Sequence, residues 1–302
     1  MLVKKINLEF QKSVTKCVSI STFNFCKILL LQNISFSGSS NKKKKQSEPV
    51  VANVDIARRK KLVNLKTFKI PYGKHMLCGD LYRTGKQTVV LHGAGNSSRL
   101  VYSRLRHILN TRSIPSVSFD FIGHGETGGE ILGSSLRERT KQATAVIKHK
   151  CIEPLTLIAA SMSGYTAIKL TDIFSVSNLI LLVPAVYSPQ AYNLPFGHEF
   201  SAAIRAPKSW KESDAFEILS RFKGNLVVIA AEFDDVIPRE IIVQIHSAAK
   251  NAANRILHII SGSTHTSLFP REQDFLFAME IMIGACLNEW GTKRLESTTL
   301  LC

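Results

Sequence analysis

The sequence predicts a doubly wound α/β domain with a mostly parallel sheet, and three observations carry that prediction. From about Val63 onward, short and near-continuous apolar segments alternate with longer stretches that suit helices. Those apolar segments do not alternate with polar residues, so both strand faces are buried, as in a parallel sheet covered by helices on both sides. Polar residues gather just after the strands, where such sheets place their chemistry.

The elements follow in order. LKTFKI and MLCGDLY flank a Pro71-Tyr72-Gly73 turn and read as an antiparallel opening. QTVVLHG is a buried strand, followed by a helix over about 99–110. PSVSFDF comes next, with a helix over about 135–148. PLTLIAA runs directly into a helix after Ser161. SNLILLVPA, NLVVIAAE and RILHII are three further strands; a helix after Pro238 separates the last two, and a final helix covers about 273–287. Residues 186–221 break the rhythm, with many aromatics, turn residues and one or two short helices.

Composition places the rest of the chain. With 302 residues and 45% hydrophobic content, a sizeable core can form. The net charge of +16 resembles a nucleic-acid signature until it is located. Residues 1–61 hold 13 Lys/Arg against 3 Asp/Glu, and the remainder holds 26 against 20. The excess belongs mainly to an extension, so no nucleic-acid partner is expected. The expected division is therefore a basic, disordered N-terminal extension over 1–61 and the α/β domain over 62–302. The extension has basic clusters at 42–45 and 58–61, and an apolar patch over 18–31 that Lys27 interrupts. That patch is too short to span a bilayer, and no small-x-small cleavage site follows it. Organelle targeting, a nuclear signal and membrane-surface contact all remain open for it. The six cysteines show no C-x-x-C pair and no metal spacing. Unpaired thiols suit a reducing compartment, so the expected location is cytoplasmic, with no metal and no cofactor.

The turn between PLTLIAA and its helix carries two serines, in ASMSG. A nucleophile presented on a strand–turn–helix corner needs small residues two before and two after it, because the two backbones nearly touch. Ser161 has Ala159 and Ser163 there; Ser163 would have Ser161 and Tyr165, and the tyrosine is too large. Taken alone, Ser161 suits a helix N-cap as well as a nucleophile. The other strand ends add His92-Gly93-Ala94-Gly95, Gly123-His124-Gly125, Asp234-Asp235 and His265. A serine, an acid and a histidine thus stand in that order on three strand ends.

With these residues in place, the stretch from about Val63 to Leu287 resembles the α/β-hydrolase fold superfamily. Four segments carry the resemblance, in family order: LHGAG, DFIGHGETGG, the elbow AASMSG, and EFDDVIP ahead of GSTH. Both elbow glycines of the usual G-x-S-x-G are replaced, by Ala159 and Ser163. The resemblance implies Ser161 as nucleophile and His265 as the base that takes its proton. It implies Asp234 as the acid, four residues before Pro238, with Asp235 the near miss and Asp120 an alternative. It implies an oxyanion hole from the backbone N–H groups of Ala94 and Met162. His92 and His124 are then turn-shaping residues, and His258 is a satisfied core histidine. The family inserts its substrate-covering lid where residues 186–221 stand. Tyr187, Tyr192, Phe196, Phe200 and Trp210 either line an acyl pocket or form the lid's own small core.

The activity so implied is a serine hydrolase acting on a small-molecule ester, lactone or thioester, closest in pattern to feruloyl-type esterases. Acyl transfer by the same residues, and a non-catalytic binding member of the fold, are the alternatives.

Overall fold

The computed structural model describes residues 65–290. The expectations for residues 1–61, on disorder, targeting and membrane contact, lie outside the described residues. No helix among the described residues is long and apolar enough to cross a membrane.

Eight strands form one sheet. They are β1 (Leu65–Tyr72), β2 (His75–Tyr82), β3 (Lys86–Leu91), β4 (Ser116–Phe119), β5 (Ile152–Ala160), β6 (Val176–Leu182), β7 (Asn225–Phe233) and β8 (Asn254–Thr264). Their spatial order is β1-β2-β4-β3-β5-β6-β7-β8. The β1–β2 and β2–β4 pairs are antiparallel, and every pair from β4–β3 to β7–β8 is parallel. The helices are α1 (Ser103–Thr111), α2 (Leu136–Lys150), α3 (Ser163–Leu170), α4 (Pro189–Asn193), α5 (His198–Arg205), α6 (Ala215–Arg221), α7 (Arg239–Ala248) and α8 (Glu272–Leu287).

The strands are apolar on both faces because both faces are covered. Along β5, Leu155, Leu157 and Ala159 join a core with α2, α3, α6 and α7, while Ile158 and Ala160 join a second core with α1 and α8. Ser135 caps α2, its side chain accepting from the Glu138 N–H at 3.1 Å, and basic residues fill the last turn. Both ends of that helix therefore satisfy its terminal groups and its dipole.

Four boundaries differ from the sequence reading. The hairpin turn is Gly73-Lys74, with Gly73 at φ +55°, and Pro71 lies inside β1. A proline is tolerated there because β1 is an edge strand with a free side. β4 stops at Phe119, leaving Asp120 and Phe121 in the loop. The helix expected from residue 99 begins as a 3-10 turn, Arg99–Tyr102, before α1. β8 continues through the SGST segment to Thr264 instead of ending at Ile260. His258 is half-buried on this edge strand, against the Phe277 ring at 5.0 Å between centroids. Its ring makes no hydrogen bond among the described residues, so it is not the satisfied core histidine expected. Cys78, Cys151 and Cys286 are free thiols.

Between β6 and β7 lie α4, α5, a 3-10 turn (Ser209–Glu212) and α6. The five aromatics of this segment pack mainly on one another and on neighbouring aromatic rings. Tyr187 and Tyr192 stand edge-on to Tyr165 at 5.8 and 5.7 Å, and Phe196 meets Phe200 at 4.9 Å. Trp210 lies edge-on to Phe216 at 6.3 Å. They extend the core on one face of the sheet: Phe196 and Phe200 belong to it, and Tyr187, Tyr192 and Trp210 pack against it, so the separate core expected for this segment is not formed.

Candidate active site

Ser161 occupies the corner between β5 and α3 at φ +49°. The left-handed region is strained for a non-glycine residue, costing on the order of 1–3 kcal/mol, and persists only where the surroundings enforce it. Here three backbone hydrogen bonds do so. The Ser161 N–H donates to Leu182 O at 2.9 Å, and its carbonyl accepts from Gly164 N at 2.9 Å and Ala185 N at 3.0 Å. The glycine of ASMSG that matters for packing is Gly164: a Cβ there would lie 2.7 Å from Cβ of Pro184. The corner is tight enough to aim one side chain outward. That side chain is Ser161, since Ser163 points into the protein, fully buried and donating to His92 O at 2.5 Å.

The acid and the histidine are brought together by strand pairing. Phe233 of β7 is the partner of Thr264 of β8, so the next residues, Asp234 and His265, leave the sheet side by side. Reaching that register requires an irregularity between Ala231 and Phe233. Glu232 clips it, accepting from Gly262 N at 2.7 Å and Ser261 Oγ at 2.9 Å. These donors hold its carboxyl below the usual carboxylate range. Bulges re-aim side chains, and this one sets Asp234 beside His265.

The resulting line is continuous. Ser161 Oγ lies 3.0 Å from His265 Nε2, and His265 Nδ1 lies 2.9 Å from Asp234 Oδ2. The other Asp234 oxygen accepts from Val236 N at 3.0 Å and Ile237 N at 2.8 Å. The side chains of His265 and Asp234 are 12% and 6% exposed, dry enough to strengthen the pair yet open to a substrate. A carboxylate on Nδ1 sets the tautomer with its proton there, which leaves the Nε2 lone pair facing the serine. Asp235 is exposed on the turn. Asp120 is committed elsewhere, buried in ion pairs with Arg99 and accepting from the Arg99 N–H at 2.7 Å.

The loop after β3 flanks the serine on its other side. A Cβ at Gly93 would sit 3.4 Å from the Ser161 Cβ, so Ala94 follows close to Ser161. Among the described residues, neither the Ala94 nor the Met162 N–H has an acceptor. His92 is fully buried and bridges loops, with Nδ1 2.8 Å from Gly93 O and Nε2 accepting from Phe121 N at 3.2 Å. Burial pushes its pKa down to about 2, so it is neutral at working pH. His124 tilts against it at 4.8 Å, its pKa also lowered by burial.

A cavity of about 600 Å³ opens beside His265, lined by Val101, Leu105, Val183, Leu268, Phe269 and Phe275 among others. That volume lies within the roughly 300–1,000 Å³ typical of small-molecule sites. None of the five aromatics of residues 186–221 lines it. The sequence motifs do not point to Arg139, which stands fully buried beneath this loop. Its one sign is position, three after the buried Leu136 and four before the buried Ala143, on the apolar stripe of α2.

No protein-family model matches the sequence, and no curated protein sequence does either. Many solved structures are similar in fold. A monoacylglycerol lipase from Paleococcus ferrophilus aligns over 70% of this chain and 98% of its own, at 18% identity and a TM-score of 0.57. A thioesterase domain from the curacin biosynthetic pathway aligns over 74% and 99%, at 14% identity and 0.55. Est1E from Butyrivibrio proteoclasticus, solved with ferulic acid, aligns over 74% and 97%, at 16% identity and 0.54. The chain has the α/β-hydrolase fold.

Proposed function

We propose that this protein is a serine hydrolase that cleaves a carboxylic ester, lactone or thioester through an acyl-enzyme. The observation that carries the reading is the hydrogen-bonded line from Ser161 through His265 to Asp234, starting on a strained strand-to-helix corner. A serine hydroxyl is a weak nucleophile until a base removes its proton as it attacks. His265 Nε2 is at hydrogen-bond distance for that transfer. Asp234, held by two backbone N–H groups, stabilises the imidazolium that forms.

The attack turns the carbonyl carbon tetrahedral and places negative charge on its oxygen. The free N–H groups of Met162 and Ala94 receive that charge. Losing one such donor costs about 10²–10³ in rate in enzymes of this kind. His265 then gives its proton to the departing alcohol or thiol, and the acyl group stays on Ser161. Water, activated by the same histidine, releases the acid. The cavity beside His265 takes one side of the substrate; its walls are mixed, with Val101, Leu105, Phe269 and Phe275 on the apolar part and Arg104, Arg271 and Glu272 on the charged part. Residues 186–221 serve as a short lid whose aromatics join the core on one face of the sheet.

Steady-state hydrolysis of p-nitrophenyl esters of increasing chain length tests the reading. Ser161→Ala should abolish turnover while circular dichroism and the unfolding midpoint stay near wild type. Turnover retained by that variant would remove Ser161 from the role.

A further inference from the structure

The most unusual buried group near this site is Arg139. It is 1% exposed, and among the described residues no carboxylate lies within ion-pair distance of it. Burial without a counter-charge pushes its pKa down. Its Nη2 donates to His92 O at 2.9 Å, Gly93 O at 3.1 Å and Ser163 Oγ at 3.0 Å. The guanidinium lies over the Phe121 ring at 3.8 Å, and Nε finds no acceptor. A buried cation held only by neutral acceptors is expensive, and an apolar residue of similar size would pack there at lower cost.

We infer that Arg139 is a positioning residue for the reaction, which orients and polarises the peptide group joining Gly93 to Ala94. This inference rests on the proposed role of the Ala94 N–H as an oxyanion donor. A peptide unit is planar, with its C=O and N–H pointing in opposite directions. Fixing the oxygen therefore fixes the direction of the hydrogen. The Gly93 oxygen is fixed twice, by Arg139 and by His92, whose Nδ1 carries the proton because Nε2 already accepts the Phe121 N–H. Donors on the oxygen draw electron density from the amide, and one of them is a full cation in a dry site. The same guanidinium reaches Ser163 in the elbow, so the oxyanion loop and the nucleophile corner share one anchor. Because no carboxylate neutralises the charge, its field remains available to the negative charge that develops on the substrate oxygen.

Such a group acts on the transition state and little on the bound ground state, so its loss should appear in kcat and not in KM. The test uses the full chain with Arg139→Met and Arg139→Lys, assayed for kcat and KM on one p-nitrophenyl ester. Unfolding midpoints are measured beside them. Arg139→Met should lower kcat by roughly 10- to 100-fold, somewhat less than deletion of a donor itself, with KM within about threefold of wild type. Arg139→Lys, which keeps a cation but loses the planar guanidinium and its reach, should fall between the Met variant and wild type. A folded Met variant with kcat within threefold of wild type, or a loss carried in KM, overturns the inference. If Arg139→Met does not fold, Arg139→Lys decides alone by the same criterion. Labelling of wild-type Ser161 by a fluorophosphonate separates the two levels. A labelled wild type with unaffected Arg139 variants sinks only this inference, whereas an unreactive Ser161 sinks the hydrolase reading and this inference with it.

Discussion

The two sides of Ser161 are built in opposite ways. On the loop side, His92, Ser163 and Arg139 are all but fully buried, and their side chains hydrogen-bond the loop after β3, α2 and the elbow to one another. On the acid–base side, Asp234 and His265 leave the ends of β7 and the half-exposed edge strand β8, aligned by a bulge that an exposed carboxylate clips. One side is held by buried hydrogen bonds; the other is aligned by register on an exposed strand end, with the Asp234 and His265 side chains themselves mostly covered. An oxyanion site gains from donors that need no reorganisation, while a base must move a proton in both directions and meet the substrate. The contrast matches those two demands.

If that division is right, the largest rate effects belong to the acid–base side. His265→Ala should reduce kcat by at least about 10⁴, since nucleophile and base fail as a unit. Asp234→Asn should lose at least ~10², by the mechanism that costs a protease about 10⁴ when its aspartate is neutralised. Asp235→Asn should stay within about threefold, because an exposed turn carboxylate contributes little. Steady-state rates on one ester rank the three, and a dead Asp235→Asn enzyme would mean that the acid has been assigned one residue too early.

The loop side should answer in stability first. Ser163→Ala leaves the His92 carbonyl with Arg139 alone and should lower unfolding free energy by about 1–3 kcal/mol in urea titrations. Its kcat should fall less than that of Asp234→Asn; the opposite ranking would erase the distinction between the two sides.

A smaller effect concerns acid. His92 is neutral when folded, with its pKa near 2, and has an ordinary value near 6.5 when unfolded. The unfolded chain therefore binds the extra proton between those values, so this contribution is complete above about pH 6.5 and shrinks as pH falls. The slope reaches about 1.4 kcal/mol per pH unit for one such group. His92→Gln should start less stable at pH 7 yet lose stability less steeply between pH 6 and pH 4. Parallel slopes for variant and wild type would show that this histidine is not held neutral. Glu232→Gln, on the open side, should change kcat by less than about fivefold, because its clip is fully exposed.

Much of the fold was legible because buried parallel strands such as PLTLIAA and NLVVIAAE are apolar without interruption. The ends were less so. Pro71 reads as a turn residue, yet an edge strand tolerates it; SGST reads as a loop, yet pairing with β7 holds it in β8. At the site, strand ends offered Ser161, the Asp234-Asp235 pair and His265, the family resemblance singled out Asp234, and the structure sets Ser161, His265 and Asp234 within hydrogen-bond reach of one another. Arg139 was not legible, because a single arginine on a helical stripe has no motif and its meaning depends on which carbonyls it meets. The Glu232 clip was equally hidden, since register between β7 and β8 is not written in either strand alone.

Fluorophosphonate labelling followed by peptide mass mapping tests the central claim most directly, because only an activated serine reacts at useful rates. The account predicts one adduct, on Ser161, with its rate of formation cut at least ~10² by Asp234→Asn and left nearly unchanged by Asp235→Asn. No adduct, or an adduct on Ser163, would contradict it.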